Sequence, residues 1–349
     1  MMQKRLINIG PCSNRKDPSK TGGIVVLFED WQQYCREKKI EAVTIDSNKA
    51  NYSNVCIAYL AIIWQFIRKV GRCDVVMLHG TAKDYLFIAP IVVFISKLRH
   101  KKIVLRKFAG NFEQIYNASN KVKLCIYNYI FANSDVQFWE TKSLVAFGKE
   151  RCSRSLWFPN VRKRLNIKRN VGRPFSQQKF VFLSRVGKQK GIDVLKECFS
   201  MLPNSYHLDI YGPINGYGVL DLNGANYSYK SVVEPSRVPE ILSQYDVLVL
   251  PTLWKAEGYP GVIIEGYNVG IPAIASGIGA IPEIIEDGKT GLLVESGSAE
   301  DLKRAILSIA ENNYTEMSKN ALTFFDNFDA EIVNKRILDQ IMALYDEPI

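Results

Sequence analysis

Short apolar runs and longer helix-like stretches alternate along this chain, twice over, and no other feature narrows its possible folds so far. In the first half, the runs Leu6–Ile9, Ala42–Ile45, Val75–Leu78 and Ile103–Leu105 are separated by Ile24–Glu37, Asn54–Val70 and Tyr85–Leu98. A strand that is apolar on both faces has to be covered on both, so the alternation predicts parallel sheets flanked by helices. Arg162–Gln178, rich in Lys, Arg, Asn and Gln, lacks an apolar period and reads as a linker. A second alternation follows. Lys179–Leu183, His207–Tyr211, Asp246–Leu250, Pro272–Ala275 and Gly291–Val294 read as strands, and Ile192–Ser200, Pro239–Gln244, Val262–Val269 and Ala299–Glu311 as helices. The expectation is α/β: two doubly wound domains, 1–165 and 166–325, facing a central cleft, with a C-terminal helix over 326–349 packing back toward the first. In such open sheets ligands sit at the carboxyl ends of the strands.

With 349 residues, 47% of them hydrophobic, the chain can bury two cores of ordinary size. Its seven cysteines are scattered and never spaced Cys-x-x-Cys, which argues against a disulfide framework or a zinc site and for a reducing cytoplasm. The opening residues are too polar for a signal peptide, and no apolar run reaches the roughly 18 residues of a membrane span. Charge is uneven. Residues 1–165 hold 28 Lys and Arg against 12 Asp and Glu, and the remainder holds 17 against 23. A basic first half suits a phosphorylated lipid, an anionic membrane face or nucleic acid, the plain alternative being a solubilising surface.

The stretch Pro251–Pro272 carries the most chemical information. Pro260 suits a helix start, and Gly270 with Pro272 suits its end, so Glu257 lies in the loop before a short helix and Glu265 about one turn inside it. The free amides of Gly261 and Val262 form an anion site at that helix start. Carboxylates on either side could grip hydroxyls flanking a bound phosphate, or Glu257 could simply cap the helix.

These two glutamates, separated by seven residues in a Gly258-Tyr259-Pro260-Gly261 setting, resemble the paired-glutamate signature of retaining glycosyltransferases of family 4, which have the GT-B fold of two Rossmann-like domains. Three further blocks stand in the family's order. Ser184–Leu195 resembles the segment whose Arg and Lys hold the donor diphosphate, Ser276–Val294 the closing block of that domain, and Thr21-Gly22-Gly23 the glycine loop of the acceptor domain. The resemblance implies transfer of a sugar from a nucleotide sugar, with UDP preferred, to a glycan or lipid-linked acceptor in surface polysaccharide assembly, without a metal or other cofactor. It implies that Glu257, Arg185 and Lys190 act in catalysis and that Glu265 binds the ribose. Gly258, Tyr259, Gly261 and Val262 would join Glu265 in holding the donor, with Gly22 and Gly23 facing it from the first half. A departing nucleoside diphosphate gains negative charge in the transition state, which two cations and a helix end can stabilise. Lys188 reads as a surface residue.

The chain contains no Asp-x-Asp pair, so a metal-dependent glycosyltransferase architecture has no candidate ligands. The histidine that the family often places after the fourth strand is replaced by the run Arg106–Asn111. His79, at a strand end, is either a ligand contact or a structural residue. Helices over Val55–Val70 and Tyr85–Lys102 are unusually apolar with basic ends. They read as buried core, the alternative being contact with a membrane interface. A nicotinamide oxidoreductase lacks its Gly-x-Gly-x-x-Gly and a P-loop lacks its first glycine. A nucleotide-sugar epimerase of the same fold and a basic nucleic-acid-binding protein remain as rivals, though an acidic second half carrying these blocks speaks against nucleic acid as a partner.

Overall fold

The computed structural model describes residues 5–17, 22–108, 110–167, 178–309 and 311–346. Thr21, Ala109 and residues 168–177 of the expected linker lie outside them. The chain divides into two compact units, Met1–Asn160 with Glu331–Ile349, and Val161–Ala330.

The first unit is built on a six-stranded parallel sheet of β1 (Arg5–Gly10), β2 (Glu41–Asp46), β3 (Val75–Gly80), β4 (Lys102–Lys107), β5 (Val136–Trp139) and β6 (Ser155–Trp157). Their order is β2-β1-β3-β4-β5-β6. The first four coincide with the expected runs. The last two are too short to show a period of their own, and each is a strand because it completes the open edge beside it, Phe138 opposite Arg106 and Leu156 opposite Phe138. Connecting them are α1 (Gly23–Glu37), α2 (Val55–Lys69), α3 (Ala82–Phe87), α4 (Ala89–Leu98), α5 (Phe112–Asn117), α6 (Lys121–Ala132) and α7 (Lys142–Lys149). The single helix expected over Tyr85–Leu98 is two. Pro90 has no N–H to bond back and its ring would strike the carbonyl one turn earlier, so a new helix starts around it.

Side chains of the sheet alternate between two cores. Ile7, Ile9, Leu78 and Leu105 meet Ile62 and Phe66 of α2, Val92 and Val93 of α4 and Phe131 of α6. On the other face Asn8 accepts from Trp31 Nε1 of α1 at 3.2 Å, and the Trp31 ring meets Phe158 edge-on at 5.8 Å. Reading α2 and α4 as core helices needs correction. Each buries one face only, while Leu60 and Trp64 of α2 and Phe94 and Leu98 of α4 stand exposed.

The second unit holds β7 (Lys179–Leu183), β8 (His207–Tyr211), β9 (Tyr227–Tyr229), β10 (Val247–Leu250), β11 (Ala273–Ser276) and β12 (Gly291–Val294). This sheet too is parallel, in the order β12-β11-β10-β7-β8-β9. Its helices are α8 (Ile192–Ser200), α9 (Val238–Leu242), α10 (Gly261–Asn268), α11 (Ala299–Ser308) and α12 (Glu311–Phe324), so the helix expected to run to Glu311 stops at Ser308. Arg162 is bound into this unit. Its N–H donates to Phe328 O and its carbonyl accepts from Ala330 N–H, both at 2.9 Å. The last helix, α13 (Ala330–Ala343), groups from Glu331 onward with the first unit, where Glu331 pairs with Lys38 at 2.5 Å and Arg336 lies 5.5 Å from the Trp157 ring.

Candidate active site

In the second sheet the winding reverses between β7 and β10, the place at which open α/β sheets bind ligands, and a loop leaves the carboxyl end of each. From β7 comes Ser184–Gly191, including a 3₁₀ turn at Lys188–Lys190. From β10 comes Pro251–Pro260, which carries Glu257. Gly191 lets the two loops touch. It has φ of 77°, and a Cβ there would lie 1.9 Å from Pro251 O, so neither its conformation nor its place admits a side chain. Leu253 N–H then donates to Gln189 O at 2.9 Å, locking one loop to the other.

That contact brings Lys190 to Glu257. Lys190 Nζ lies 2.5 Å from Glu257 Oε2, and Thr252 Oγ1 lies 2.9 Å from the same oxygen. Both charged side chains are largely buried, 14% and 12% exposed, so neither can turn to bulk water without leaving the other uncompensated. Arg185 is exposed. With Lys190 it lines a cavity of about 370 Å³, together with Gly187, Gln189, Asn215 and Gly216. Lys188, exposed as expected of a surface residue, lines the same cavity.

Helix α10 begins after Pro260 with no side-chain cap and no acidic residue in its first turn. The N–H groups of Gly261 and Val262 have no carbonyl behind them within the helix, and the helix dipole adds to their positive field. A second positive group stands at the same place. A Cβ on Gly261 would lie 2.3 Å from Arg162 Nη2, so the absence of a side chain is what lets the guanidinium approach. Arg162 Nε donates to Glu265 Oε1 at 2.7 Å and Nη1 to Val161 O at 3.0 Å. Sequence reasoning missed Arg162, since it belongs to the polar stretch taken as linker and stands 103 residues from its partner. Tyr259 is buried, with its hydroxyl donating to Glu283 Oε2 at 2.6 Å, so its main chain is what it can offer a ligand. Gly258 and Gly261 are partly exposed beside it. Each sequence-predicted glutamate is thus tied to a cation, Glu257 to Lys190 and Glu265 to Arg162.

In the first unit Gly22 caps α1 and Gly23 opens it, and a Cβ on either would meet nothing within 4 Å. Both line a cavity of about 560 Å³ with Asn48, Lys49, His79 and Asp84 among its walls. Lys49 is paired with Asp84 there. His79 is wholly buried and neither ring nitrogen has a hydrogen-bond partner; burial and the neighbouring Arg106 hold its pKa well below the usual 6.5, so the ring is neutral. Where the family often has a histidine, β4 ends in two buried cations. The Arg106 guanidinium lies 3.4 Å from the centroid of Phe158, and Lys107 Nζ donates to Phe108 O. Burial lowers Lys107 from 10.5 to about 8, against the opposing pull of Glu140 and Asp84.

Among the described residues no cluster of three or more His, Cys, Asp or Glu side chains could hold a metal ion, and no helix is long and apolar enough to cross a membrane.

Residues 163–323 match the family described as glycosyl transferases group 1. An uncharacterised 41.2 kDa protein in the cps region of Klebsiella pneumoniae is 25% identical over 322 residues, 84% of each chain. The UDP-Gal:alpha-D-GlcNAc-diphosphoundecaprenol alpha-1,3-galactosyltransferase of Escherichia coli is 27% identical over 200 residues, 52% of this chain and 47% of its own, so this chain matches about half the length of that relative. The structure of HepE from Anabaena in complex with UDP aligns with a TM-score of 0.71 at 13% identity, over 97% of this chain and all of that one. At that identity the likeness is one of fold, and the fold is GT-B.

Proposed function

The chain is a group 1 glycosyltransferase, and on that premise we propose that it moves a sugar from a UDP-sugar to a glycan or lipid-linked oligosaccharide, with retention at the anomeric carbon, as family 4 enzymes do. The observation that carries this reading is the pairing of Glu257 with Lys190 and of Glu265 with Arg162, the second pair lying against an uncapped helix start. A nucleoside diphosphate offers what each pair lacks. Its phosphates attract Lys190, Arg185, Lys188 and the amides of Gly261 and Val262. Its hydroxylated ends then take up the carboxylates, Glu265 at the ribose and Glu257 at the sugar. UDP is supported by the HepE complex and by the name of the Escherichia coli relative, which also names a diphosphoundecaprenol-linked acceptor. A surface polysaccharide setting is supported by the cps-region relative.

In the transfer, the bond from the anomeric carbon to the diphosphate oxygen breaks while the acceptor oxygen bonds to that carbon from the same face. The acceptor proton passes to the departing diphosphate. Negative charge grows on that leaving group, and cations already fixed by the fold stabilise it without reorganising. In this scheme neither a metal nor a protein nucleophile is needed. The cavity containing Gly22 and Gly23 would receive the acceptor in a cytoplasmic enzyme working beside the membrane.

The test is a thermal-shift panel of UDP-, GDP- and ADP-sugars with and without EDTA. A ligand at 100 times its Kd stabilises by about 2.7 kcal/mol. UDP-sugars should raise the melting temperature, EDTA should leave that rise unchanged, and Glu265→Ala and Arg185→Ala should remove it from proteins that still fold. No response to any nucleotide sugar would sink the proposal, and donor consumed without a new glycosidic product would favour epimerisation.

A further inference from the structure

Leu60 and Trp64 of α2 and Phe94 and Leu98 of α4 line neither cavity, yet they are large apolar side chains left on the surface of the first unit. On α2, Leu60, Trp64 and Ile67 follow one another at helical spacing, as do Ile91, Phe94 and Leu98 along α4, with Phe87 at the end of α3. Leu60 is 69% exposed, Trp64 57%, Phe94 60% and Leu98 68%. The two rows form one patch. Tyr59 of α2 stacks on Phe87 at 5.4 Å, and a Cβ on Gly71, just past the end of α2, would lie 3.9 Å from Arg99 Nη1, just past the end of α4. A contiguous apolar surface of this kind marks an interaction site.

The charge around it identifies the partner. Arg68 and Arg72 follow the α2 row, and Lys97 and Arg99 end the α4 row; all four are exposed. Arg68 lies 4.6 Å from the Trp64 ring, an arrangement in which an apolar body and a cation are presented together. Neither Val55–Lys69 nor Ala89–Leu98 contains an Asp or Glu. A second copy of this face would therefore bring its own cations and no acid to meet them. An anionic bilayer meets both halves of the patch at once, hydrocarbon for the Leu, Phe and Trp side chains and phosphates for the cations.

We propose that the paired faces of α2 and α4 dock this protein on anionic lipid bilayers, with Leu60, Trp64, Phe94 and Leu98 entering the interface and Arg68, Arg72, Lys97 and Arg99 reaching the headgroup phosphates. This assigns a surface, and it holds or fails apart from the sugar-donor reading.

Sedimentation with vesicles, without any nucleotide sugar, tests it. The protein should bind phosphatidylcholine vesicles carrying phosphatidylglycerol at least about tenfold better than phosphatidylcholine alone, and salt should weaken that binding. Leu60→Ser/Phe94→Ser and Lys97→Glu/Arg99→Glu should each lower the partition coefficient about tenfold or more. Since these side chains stand in solvent, both variants should keep the far-ultraviolet circular dichroism of the parent and the same response to UDP-sugar. Equal partition of parent and variants, or no partition of the parent, overturns the proposal. So does a dimer in solution that Leu60→Ser/Phe94→Ser dissociates, because the face would then belong to a second copy. Loss of the nucleotide response in the parent, with vesicle binding intact, would count against the donor reading alone.

Discussion

Arg162 and Glu265 are 103 residues apart in sequence, yet Arg162 Nε donates to Glu265 Oε1 at 2.7 Å, with the guanidinium beside the first residue of α10. The pair keeps the carboxylate in one rotamer before any ligand arrives. A site held ready in this way loses less entropy on binding.

If Glu265 binds the ribose, then Arg162 is a positioning residue, and its removal should blur recognition of the ribose hydroxyls more than recognition of phosphate. Titration calorimetry with UDP and 2′-deoxy-UDP checks this. The parent should prefer UDP by roughly tenfold or more, as a charged hydrogen bond of about 1.5–3 kcal/mol would give. Arg162→Ala should narrow the preference toward that of Glu265→Gln, and Arg162→Lys should recover part of it. An unchanged preference in Arg162→Ala would show that the arginine does not act through Glu265.

The Lys190–Glu257 pair makes a separate demand. Lys190→Met leaves Glu257 largely buried without its counter-charge and should cost about 3 kcal/mol or more in urea unfolding, whereas Lys190→Met/Glu257→Gln, which removes both charges, should cost less than the two single changes together. Both single variants should lose transferase activity. Strict additivity across the four proteins would mean the 2.5 Å contact carries no net coupling.

Alkaline stability should report on Lys107. Burial lowers its pKa from 10.5 to about 8, so above pH 8 the folded chain gives up this proton while the unfolded chain keeps it, and stability rises with pH. The buried thiols of Cys35, Cys73 and Cys198 work the other way. Each is raised from 9.0 to about 12, so the folded state retains protons that the unfolded state loses, and stability falls above pH 9. Denaturant melts at stepped pH should therefore show a rise between about pH 8 and 9 and a decline beyond it. Lys107→Met should abolish the rise and keep the decline; a rise that survives the substitution would assign it to another group.

Most of the strands were legible because a strand covered on both faces writes a continuous apolar run, as at Lys179–Leu183, while His207–Tyr211 shows instead the period-two alternation of Leu208 and Ile210 with more polar neighbours; in both the expected and observed bounds coincide. The three-residue strand Tyr227–Tyr229 was not, since it is held by its pairing with β8 rather than by any pattern of its own. The candidate site divides in the same way. Pro260, Gly270 and Pro272 placed Glu257 before a short helix and Glu265 inside it, whereas Arg185 and Lys190 were legible only through the resemblance of Ser184–Leu195 to a family block. Nothing near Arg162 announces it, and Lys188 looked like any solvated lysine.

Local order along this chain is a short-range matter of hydrogen bonding, proline and glycine geometry and the spacing of apolar side chains, and for that reason the sequence alone determined the two alternating halves and the helix that starts at Gly261. Which cation meets which carboxylate, and which faces of α2 and α4 remain in solvent, were decided only by the tertiary structure. The pair separated by 67 residues forms because the sheet order sets β7 beside β10, the pair separated by 103 because hydrogen bonds to Phe328 and Ala330 hold Arg162 against α10, and a helix exposes whichever face the sheet and its neighbours have no room to cover.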